Sequence, residues 1–422
     1  MKPNVGISCR KLQIAIPVIC PMRILHTADW HLGKKLHKHD LSQDHQRFIS
    51  WLVELIEQRD IHLLLISGDV FDLANPSSEA RTLYYQSLVK ISGTGCRIVI
   101  TGGNHDSPAV LNAPKEVLKA LNIDVVGGMP ENLLDVLIPV PSEENPQLVV
   151  AAIPFLRDGD IRQANAGISY GDRIESVKQG IANTYAKVLD TAIETYPETP
   201  LLAMGHLFTM GASTSDSERD IQIGNQAALD ADHFSTQFES VVLGHIHKPQ
   251  RVKSKIPIFY SGSPIPLSFS ERKDGKRVLL MDTEMGFEPE SIPVPVYRTL
   301  KKVKGSFALI QEGIGQLVPQ HDLTTLIEVE VVEPNYNPEL IYALDQFVFN
   351  FEKEGLEIVK HRISFEHQVE GTGNLFSMNE QLEDLKPREV FEKRLAAEDL
   401  DGTTRDLLLD AFYEILEGTA QV

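Results

Sequence analysis

Short apolar runs alternate with amphipathic stretches along the first 285 residues of the chain. The runs at 23–29, 61–69 and 96–104 are dense in Leu, Ile and Val and predict strands. The stretches 44–58 and 79–91 carry apolar residues at three- and four-residue spacing, which is typical of helices packed by one face. This β-α-β-α-β order predicts a largely parallel, buried sheet.

The second half of this region is richer in strand-like runs. A single long amphipathic stretch, near 173–194, predicts a helix. Apolar runs that predict further strands occur at 135–140, 147–155, 200–206, 239–245, 256–263 and 276–282. We therefore expect a second or mixed sheet beside the first.

Breaks in composition divide the chain. The proline-rich segment 286–296 is typical of a linker, and "GTGN" at 371–374 marks another break. Between them the pattern predicts a small β-α-β-α-β unit, and beyond them two amphipathic helices with acidic outer faces. The predicted units are an N-terminal extension at 1–21, a main domain at 22–285, a small α/β domain at 297–370 and a helical tail at 371–422.

The first 21 residues are basic and then apolar, but the apolar part is too short for a secretory signal and lacks a cleavage pattern. Met22 directly precedes the first strand, so we expect it to be the functional start and 1–21 to be a loosely attached extension. No apolar run approaches the ~18 residues of a membrane span. The three cysteines show neither disulfide nor zinc spacing, which favours the reducing cytoplasm.

The net charge of −19 is unevenly distributed. Residues 305–422 carry 24 acidic and 8 basic side chains, which leaves residues 1–304 with a net charge of only −3. Basic clusters occur at 248–255, 271–277 and 297–304, and we expect the first and the last of them to flank a cleft. The acidity of the C-terminal third therefore does not exclude a nucleic-acid partner for the remainder.

Side chains that bind metals recur at the ends of the predicted strands. In open α/β sheets, ligands gather beyond the carboxyl ends of strands, and alternation within a strand would put Asp29 and His31 on one side. The residues concerned are Asp29, His31, Asp69, Asp72, Asn104, His105, Asp106, His206, His245 and His247.

Each of these residues also has a structural interpretation. "GGNHD" at 102–106 is compatible with an ordinary turn, Asp72 and Asp106 with turn caps, and His26 with the core. Because these residues occur together at successive strand ends, metal binding is favoured over the structural interpretations. Imidazole and carboxylate together suit Mn²⁺, Fe or Zn²⁺. A shared carboxylate between two ions is the arrangement that phosphoryl transfer uses. The pattern therefore predicts a dinuclear metal site.

The order D-x-H, GD, GNH, H and GHxH resembles the calcineurin-like metallophosphoesterase superfamily. Within it, "ILHTADWHLGK", "GDVFD", "ARTLYYQSL", "GGNHDS", "GHIHKPQ" and "YSGSPIPLSFSE" resemble the SbcD-type nucleases. The resemblance implies an α/β fold, a two-sheet αββα sandwich with a small α/β capping domain that contacts DNA. It also implies that the helical tail docks the ATPase partner.

Carried over residue by residue, the resemblance implies one metal held by Asp29, His31, Asp69 and His247. The second would be held by Asp69, Asn104, His206 and His245, with Asp69 bridging. The expected cofactors are two Mn²⁺ ions, with Mg²⁺ or another divalent ion as the alternative. His105 would contact the scissile phosphate and stabilise the leaving oxygen without binding metal. Asp72 departs from the archaeal pattern, which has a histidine at that place.

The resemblance implies a Mn²⁺-dependent DNA nuclease of recombination, repair and replication. It would act as an exonuclease on duplex ends and as an endonuclease on hairpins and single strands. The expected assembly is a homodimer within a heterotetramer, in the bacterial cytoplasm at the nucleoid, with an SbcC-type SMC-like ATPase. ATP dependence would come from that partner, because this chain lacks a G-x-x-x-x-G-K motif.

Two other functions remain open from the residues. The same metal site would suit a stand-alone metallophosphatase or a cyclic-nucleotide phosphodiesterase. Against these, the protein-phosphatase pattern GDxVDRG is absent and about 140 residues follow the predicted catalytic fold. A structural adaptor with a decayed site is the non-enzymatic alternative, and the complete ligand set argues against it.

Overall fold

The structure is a computed structural model that describes residues 22–161, 170–215, 217, 218, 221, 228–367 and 387–396. It also describes residues 398, 401, 404, 405, 408, 409, 411 and 412. The predicted extension 1–21 and most of the predicted tail 371–422 lie outside the described residues. Among the described helices, none combines the length and the apolar character that a membrane span requires.

The strands alternate with helices through the first half of the chain. The strands up to residue 293 are β1 (Arg23–Thr27), β2 (Lys35–Leu36), β3 (His39–Asp40), β4 (Leu63–Ser67), β5 (Arg97–Thr101), β6 (Ile123–Val126), β7 (Leu137–Pro141), β8 (Pro146–Ala152), β9 (Leu201–His206), β10 (Ser240–Gly244), β11 (Gln250–Val252), β12 (Ile258–Tyr260), β13 (Arg277–Asp282) and β14 (Glu290–Pro293). The helices are α1 (Ser42–Gln58), α2 (Ser78–Ser92), α3 (Pro108–Asn112), α4 (Lys115–Lys119), α5 (Asp158–Ile161) and α6 (Tyr170–Thr195).

Two six-stranded sheets form the main body. The first has the order β14-β13-β1-β4-β5-β6, and its strands β1, β4, β5 and β6 are parallel. The second has the order β11-β12-β10-β9-β8-β7, with β8, β9, β10 and β12 parallel. The expectation of a mainly parallel first sheet and a second sheet beside it is confirmed.

Alternation along the central strands explains why the sheets stack. In β4, Leu63 and Leu65 pack into the apolar cluster between the two sheets. Leu64 and Ile66 point to the opposite face, where they join the cluster that includes buried residues of α1 and α2. The second sheet is covered on its outer side by α6, which contributes Tyr185 and Val188 to the core. Because every central strand is buried on both faces, its sequence is a continuous apolar run.

The proline-rich segment 286–296 differs from its prediction as a linker. It contributes β14, which pairs antiparallel with β13 at the edge of the first sheet. Pro293 is tolerated there because an edge strand does not need every backbone N–H for the ladder.

A small unit follows, with the order of elements that the sequence predicts. Its three strands form a parallel sheet, and one face carries Ile327, Val329 and Val331 against the helices. On the other face, Lys302 pairs with Glu328 and Glu330. The elements are β15 (Leu300–Gly305), α7 (Phe307–Gln316), β16 (Thr325–Asn335), α8 (Pro338–Phe349) and β17 (Leu356–His367).

The predicted tail is represented by α9 (Pro387–Ala396) and a few residues after it. The sequence predicts an apolar stripe of Leu408, Ala411, Phe412 and Ile415 along the last helix, and Ile415 lies outside the described residues. The ring of Phe412 stacks on Phe391 of α9, with ring centroids 4.0 Å apart, while Leu408 remains 40% exposed.

A buried ion pair joins the small unit to α1. The Nε of Arg298 donates to Oδ1 and Oδ2 of Asp44 at 2.9 and 3.0 Å, and its Nη2 lies 2.9 Å from Oδ2. A third donor, Nη1, reaches the carbonyl of Thr324 at 2.6 Å. Leu326 of β16 adds an apolar contact, because it is fully buried in the cluster formed by the first sheet and its helices.

We expect Asp44→Ala to lower the free energy of unfolding by about 3–5 kcal/mol, because it leaves the Arg298 guanidinium buried without its counter-charge. Urea denaturation of the full chain measures the effect. Arg47→Ala is the matched control, because the contact of Arg47 with Asp322 is 3.9 Å long and largely exposed. Equal losses in the two variants would contradict this assignment.

Candidate metal centre

The loops that follow five parallel strands of the two sheets meet at one edge of the sandwich. Because the carboxyl ends of parallel strands share an edge, each loop delivers polar side chains to the same place. Asp29 and His31 follow β1, Asp69 and Asp72 follow β4, Asn104 and His105 follow β5, His206 ends β9, and His245 and His247 follow β10.

The backbone of these loops is held in an unusual conformation. Asp29, His31, Asp69 and His245 have φ values of 54°, 49°, 47° and 96°, which L-residues rarely adopt. Asp29 and His31 do reach one cluster of ligand atoms, as predicted, but strand alternation is not the cause, because β1 ends at Thr27. Hydrogen bonds between loops hold the strained residues instead.

Each strained loop is tied to its neighbour. Asp29 N–H donates to the carbonyl of Gly68 at 3.1 Å, and His31 N–H donates to the carbonyl of Asp69 at 2.9 Å. Between them, the carbonyl of Trp30 accepts from Nε2 of His45, on α1, at 2.6 Å. The loop after β1 is thus fixed both to the loop after β4 and to the first helix.

One cluster of ligand atoms comprises Asp29, His31 and His247, whose ligand atoms lie within 4.8 Å of one another. The Nε2 atoms of the two imidazoles face each other at 3.1 Å, and both rings are buried. The other nitrogen of His31, Nδ1, lies 3.2 Å from Oδ1 of Asp72. A carboxylate only accepts, so Nδ1 of His31 carries hydrogen and the neutral ring directs its Nε2 lone pair inwards.

A second cluster comprises Asp29, Asp69 and His206. His206 Nδ1 donates to the carbonyl of Ser67 at 3.0 Å, so its Nε2 faces Oδ1 of Asn104 at 2.9 Å and Oδ2 of Asp69 at 3.4 Å. The same Asp69 oxygen lies 3.5 Å from Nε2 of His31. Asp69 therefore contacts His31 of the first cluster as well as His206 of its own, and Asp29 belongs to both clusters.

Two buried atoms at the centre have no hydrogen-bond partner among the described residues: Oδ2 of Asp29 and Nε2 of His245. The His245 ring lies 5.5 Å from that of His206, although His245 belongs to neither cluster. Buried unpaired acceptors and converging lone pairs are costly unless a cation meets them. The mixture of imidazole nitrogen and carboxylate oxygen fits a pair of divalent transition-metal ions.

The ionisation of these groups reflects their burial. Burial raises the pKa of Asp29 to about 7, against the opposing effect of His206 and His247. Burial also lowers the pKa of His31 to about 3. At His206, burial disfavours the charged ring, but Asp69 and Asp29 outweigh it and raise the pKa to about 9. In the metal-free protein the His206 imidazolium therefore partly compensates the carboxylates.

His105 occupies a different position from the other histidines. Its N–H donates to Oδ1 of Asp69 at 2.9 Å, and its Nδ1 donates to the carbonyl of Asp72 at 2.7 Å. Its ring meets the His31 ring edge-on, with centroids 4.7 Å apart. With Nδ1 committed to the carbonyl, a contact with substrate has to come from Nε2.

Asp106 and His26 have the structural roles that the sequence suggested, whereas two further residues near the centre were not identified from it. The carboxylate of Asp106 accepts from Val70, Phe71 and Gly103 N–H at 2.9–3.1 Å, so it caps the two loops as one interpretation had it. His26 is fully buried beside Ser67, as expected for a core residue. Sequence reasoning did not identify Ser217 and Glu271, which contact His247, because neither adjoins a ligand in the chain.

Comparison with known proteins identifies relatives over most of the chain. The calcineurin-like phosphoesterase family matches residues 22–249, and the family described as type 5 capsule protein repressor C-terminal domain matches residues 296–399. The SbcD component of nuclease SbcCD from Escherichia coli K12 is 33% identical over 94% of this chain and 99% of its own length. The proteins of the same name from Rhodobacter capsulatus and Bacillus subtilis are 36% and 29% identical, over 65% and 63% of this chain and 69% and 68% of their own lengths.

Gly103 allows the loops after β4 and β5 to approach each other. A Cβ at this position would overlap the carboxylate and the backbone nitrogen of Asp69. We expect Gly103→Ala to displace Asp69 and to weaken divalent-metal binding at least ~10-fold, as measured by equilibrium dialysis with elemental analysis. Gly275→Ala is the control, because its Cβ would meet nothing within 4 Å. Unchanged binding in Gly103→Ala, in a folded protein by circular dichroism, would contradict the expectation.

Proposed function

Because this chain belongs to the SbcD family of calcineurin-like phosphoesterases, we propose that it hydrolyses DNA phosphodiester bonds at a site for two divalent ions, preferentially Mn²⁺. The protein is a metal-dependent nuclease subunit. The observation that carries the metal assignment is the buried convergence of ligand atoms: Oδ2 of Asp29 and Nε2 of His245 have no hydrogen-bond partner among the described residues, and the Nε2 atoms of His31 and His247 lie 3.1 Å apart.

We assign the ligands in two sets that share one carboxylate. Asp69 is the bridging residue, which its position between Nε2 of His31 and Nε2 of His206 supports. Asp29, His31 and His247 complete the first set, and Asn104, His206 and His245 complete the second. Two divalent ions held by these residues would supply positive charge to stabilise the attacking and leaving oxygens of an in-line displacement at phosphorus.

His105 is assigned to the substrate. The carbonyl of Asp72 holds its Nδ1 hydrogen and thereby orients the ring. As an imidazolium, His105 donates from Nε2 to the scissile phosphate and to the leaving oxygen as charge develops there. Its backbone N–H donates to the Asp69 carboxylate, and this hydrogen bond fixes the position of His105 relative to Asp69.

We propose DNA as the substrate, with exonuclease action on duplex ends and endonuclease action on hairpins and single strands. The nearly neutral main body and its basic clusters support an anionic partner. Within the cluster 297–304, Lys301 is exposed, whereas Lys302 and Lys304 pair with Glu330. Lys301 is therefore the residue of this cluster best placed to meet phosphate.

The partner is proposed to be an SbcC-type ATPase, which the name of the relatives supports, because it makes them one component of a nuclease called SbcCD. In this assignment the chain forms a homodimer within a heterotetramer at the nucleoid, in the bacterial cytoplasm. ATP acts only through the partner. The C-terminal helices are the proposed docking element.

The decisive experiment compares Mn²⁺-dependent cleavage of a DNA hairpin with hydrolysis of bis(p-nitrophenyl) phosphate. We expect Asp69→Asn to abolish both activities, because it removes charge shared by both ions. We expect His105→Gln to keep Mn²⁺ binding, measured by dialysis, while losing ~10²–10³-fold in rate.

Three outcomes would contradict the proposal. Asp69→Asn with more than a tenth of wild-type activity would oppose a shared carboxylate. Loss of metal from His105→Gln would make His105 a ligand. Hydrolysis of the small diester without cleavage of DNA would indicate the phosphatase or cyclic-nucleotide phosphodiesterase alternative.

We expect truncation after residue 375 to leave Mn²⁺-dependent cleavage of single-stranded DNA intact and to abolish co-purification with the ATPase partner. The physical reason is that an apolar side chain such as Leu408, 40% exposed on an acidic helix, suits a partner surface. Pull-down of the two co-expressed proteins measures the effect. Assembly at wild-type affinity would transfer the docking role to the small unit at 297–368.

A further inference from the structure

The histidines that face each other across the first cluster are each held from behind by a carboxylate. For His31 the holder is Asp72, whose Oδ1 also lies 3.1 Å from Nζ of Lys34. For His247 the arrangement is longer and involves a segment that sequence reasoning did not single out. Its Nδ1 lies 2.6 Å from Oγ of Ser217, which in turn makes a short hydrogen bond to Oε1 of Glu271.

The direction of these hydrogen bonds follows from Glu271. A carboxylate has no hydrogen to give, so the hydroxyl of Ser217 donates to Glu271 and accepts from Nδ1–H of His247. Glu271 is paired with Lys276, whose Nζ lies 2.5 Å from its other oxygen, so its carboxylate is the acceptor of this relay. Nδ1 of His247 is thereby a protonated nitrogen, and Nε2 is the ring nitrogen that faces His31.

The residues around the Ser217–Glu271 relay also fix the backbone of His247. Lys276 Nζ also donates to the backbone carbonyl of His247 at 3.0 Å, and Glu218 accepts from the backbone N–H of His247 at 2.8 Å. Glu271 and Lys276 are buried, with 0% and 7% of their surface exposed. Burying the ion pair of Glu271 and Lys276 costs desolvation free energy. A contribution to stability alone therefore does not explain why this pair is buried here.

We propose that Asp72 and the Ser217–Glu271 relay are positioning residues that set the tautomers of His31 and His247. Both rings are then committed to Nδ1–H, so Nε2 is the nitrogen that each ring presents to the centre, and the two Nε2 atoms lie 3.1 Å apart. This inference rests on the proposed function of the site as a metal centre. It extends that proposal to residues that touch neither ion nor substrate.

The tautomers are tested without metal. Two-bond ¹H–¹⁵N spectra of the full chain, labelled at histidine and treated with chelator, distinguish Nδ1–H from Nε2–H rings. We expect Nδ1–H for His31 and His247 in the wild type. We expect Asp72→Ala and Ser217→Ala to release the ring that each one holds into a mixture of tautomers, since Glu271 is 3.4 Å from Nδ1 of His247, beyond a normal hydrogen bond.

Metal affinity provides the second readout, with free Mn²⁺ counted by electron paramagnetic resonance. We expect Asp72→Ala and Ser217→Ala each to weaken one of two Mn²⁺ equivalents by ~10–100-fold. Ser217→Thr keeps the hydroxyl and should restore binding to within ~2-fold of the wild type. Lys34→Ala is the matched control for Asp72, because it removes the ion pair and leaves the acceptor of His31 in place.

The outcomes separate this inference from the proposed function. A wild-type chain that binds no Mn²⁺ would overturn the metal centre itself. A wild type that binds two ions, with unchanged tautomers and affinities in folded Asp72→Ala and Ser217→Ala, would overturn the positioning role alone. Should Ser217→Ala misfold, the double variant Glu271→Leu/Lys276→Met breaks the relay at its far end without leaving a buried charge unpaired.

Discussion

The site depends on one geometric constraint: two sheets stack so that the carboxyl ends of their parallel strands lie at the same edge. Only then do loops from β1, β4 and β5 meet His206, at the end of β9, and the loop after β10. The stacking is driven by the apolar cluster that Leu63 and Leu65 share with the strands of the second sheet. The apolar contact between the two sheets thus determines where the candidate metal ligands come together.

The backbone conformation of the candidate metal centre lowers the stability of the folded state, and hydrogen bonds between the loops offset this loss. Four candidate ligands occupy positive-φ backbone, and such conformations cost of order 1–3 kcal/mol each. They persist because hydrogen bonds between loops over-determine them; Asp106 alone accepts three backbone N–H groups from two loops. These hydrogen bonds hold the candidate ligands in place independently of any bound ion, which is the condition for a preorganised site.

Much of the fold was predictable, because buried parallel strands leave continuous apolar runs and surface helices leave a periodic stripe. The strand ends were less so: β1 stops at Thr27, and the backbone beyond it is held by contacts with Gly68 and Asp69 that no local pattern records. Candidate ligands could be predicted from residue type and order. Ser217 and Glu271 could not, since their role arises only from tertiary proximity to His247. The pairing of Lys302 with glutamates of the neighbouring strand was invisible for the same reason.

The buried pair between Arg298 and Asp44 has a mechanical consequence. Asp44 is followed in α1 by His45, whose ring holds the carbonyl of Trp30, and Trp30 lies between Asp29 and His31. The small unit is therefore connected to the loop after β1 through one guanidinium, one carboxylate, one peptide unit of α1 and one imidazole, and the three side chains are buried. A displacement of the small unit would thus act first on the backbone next to Asp29 and His31, because no residue of the second sheet lies in this path.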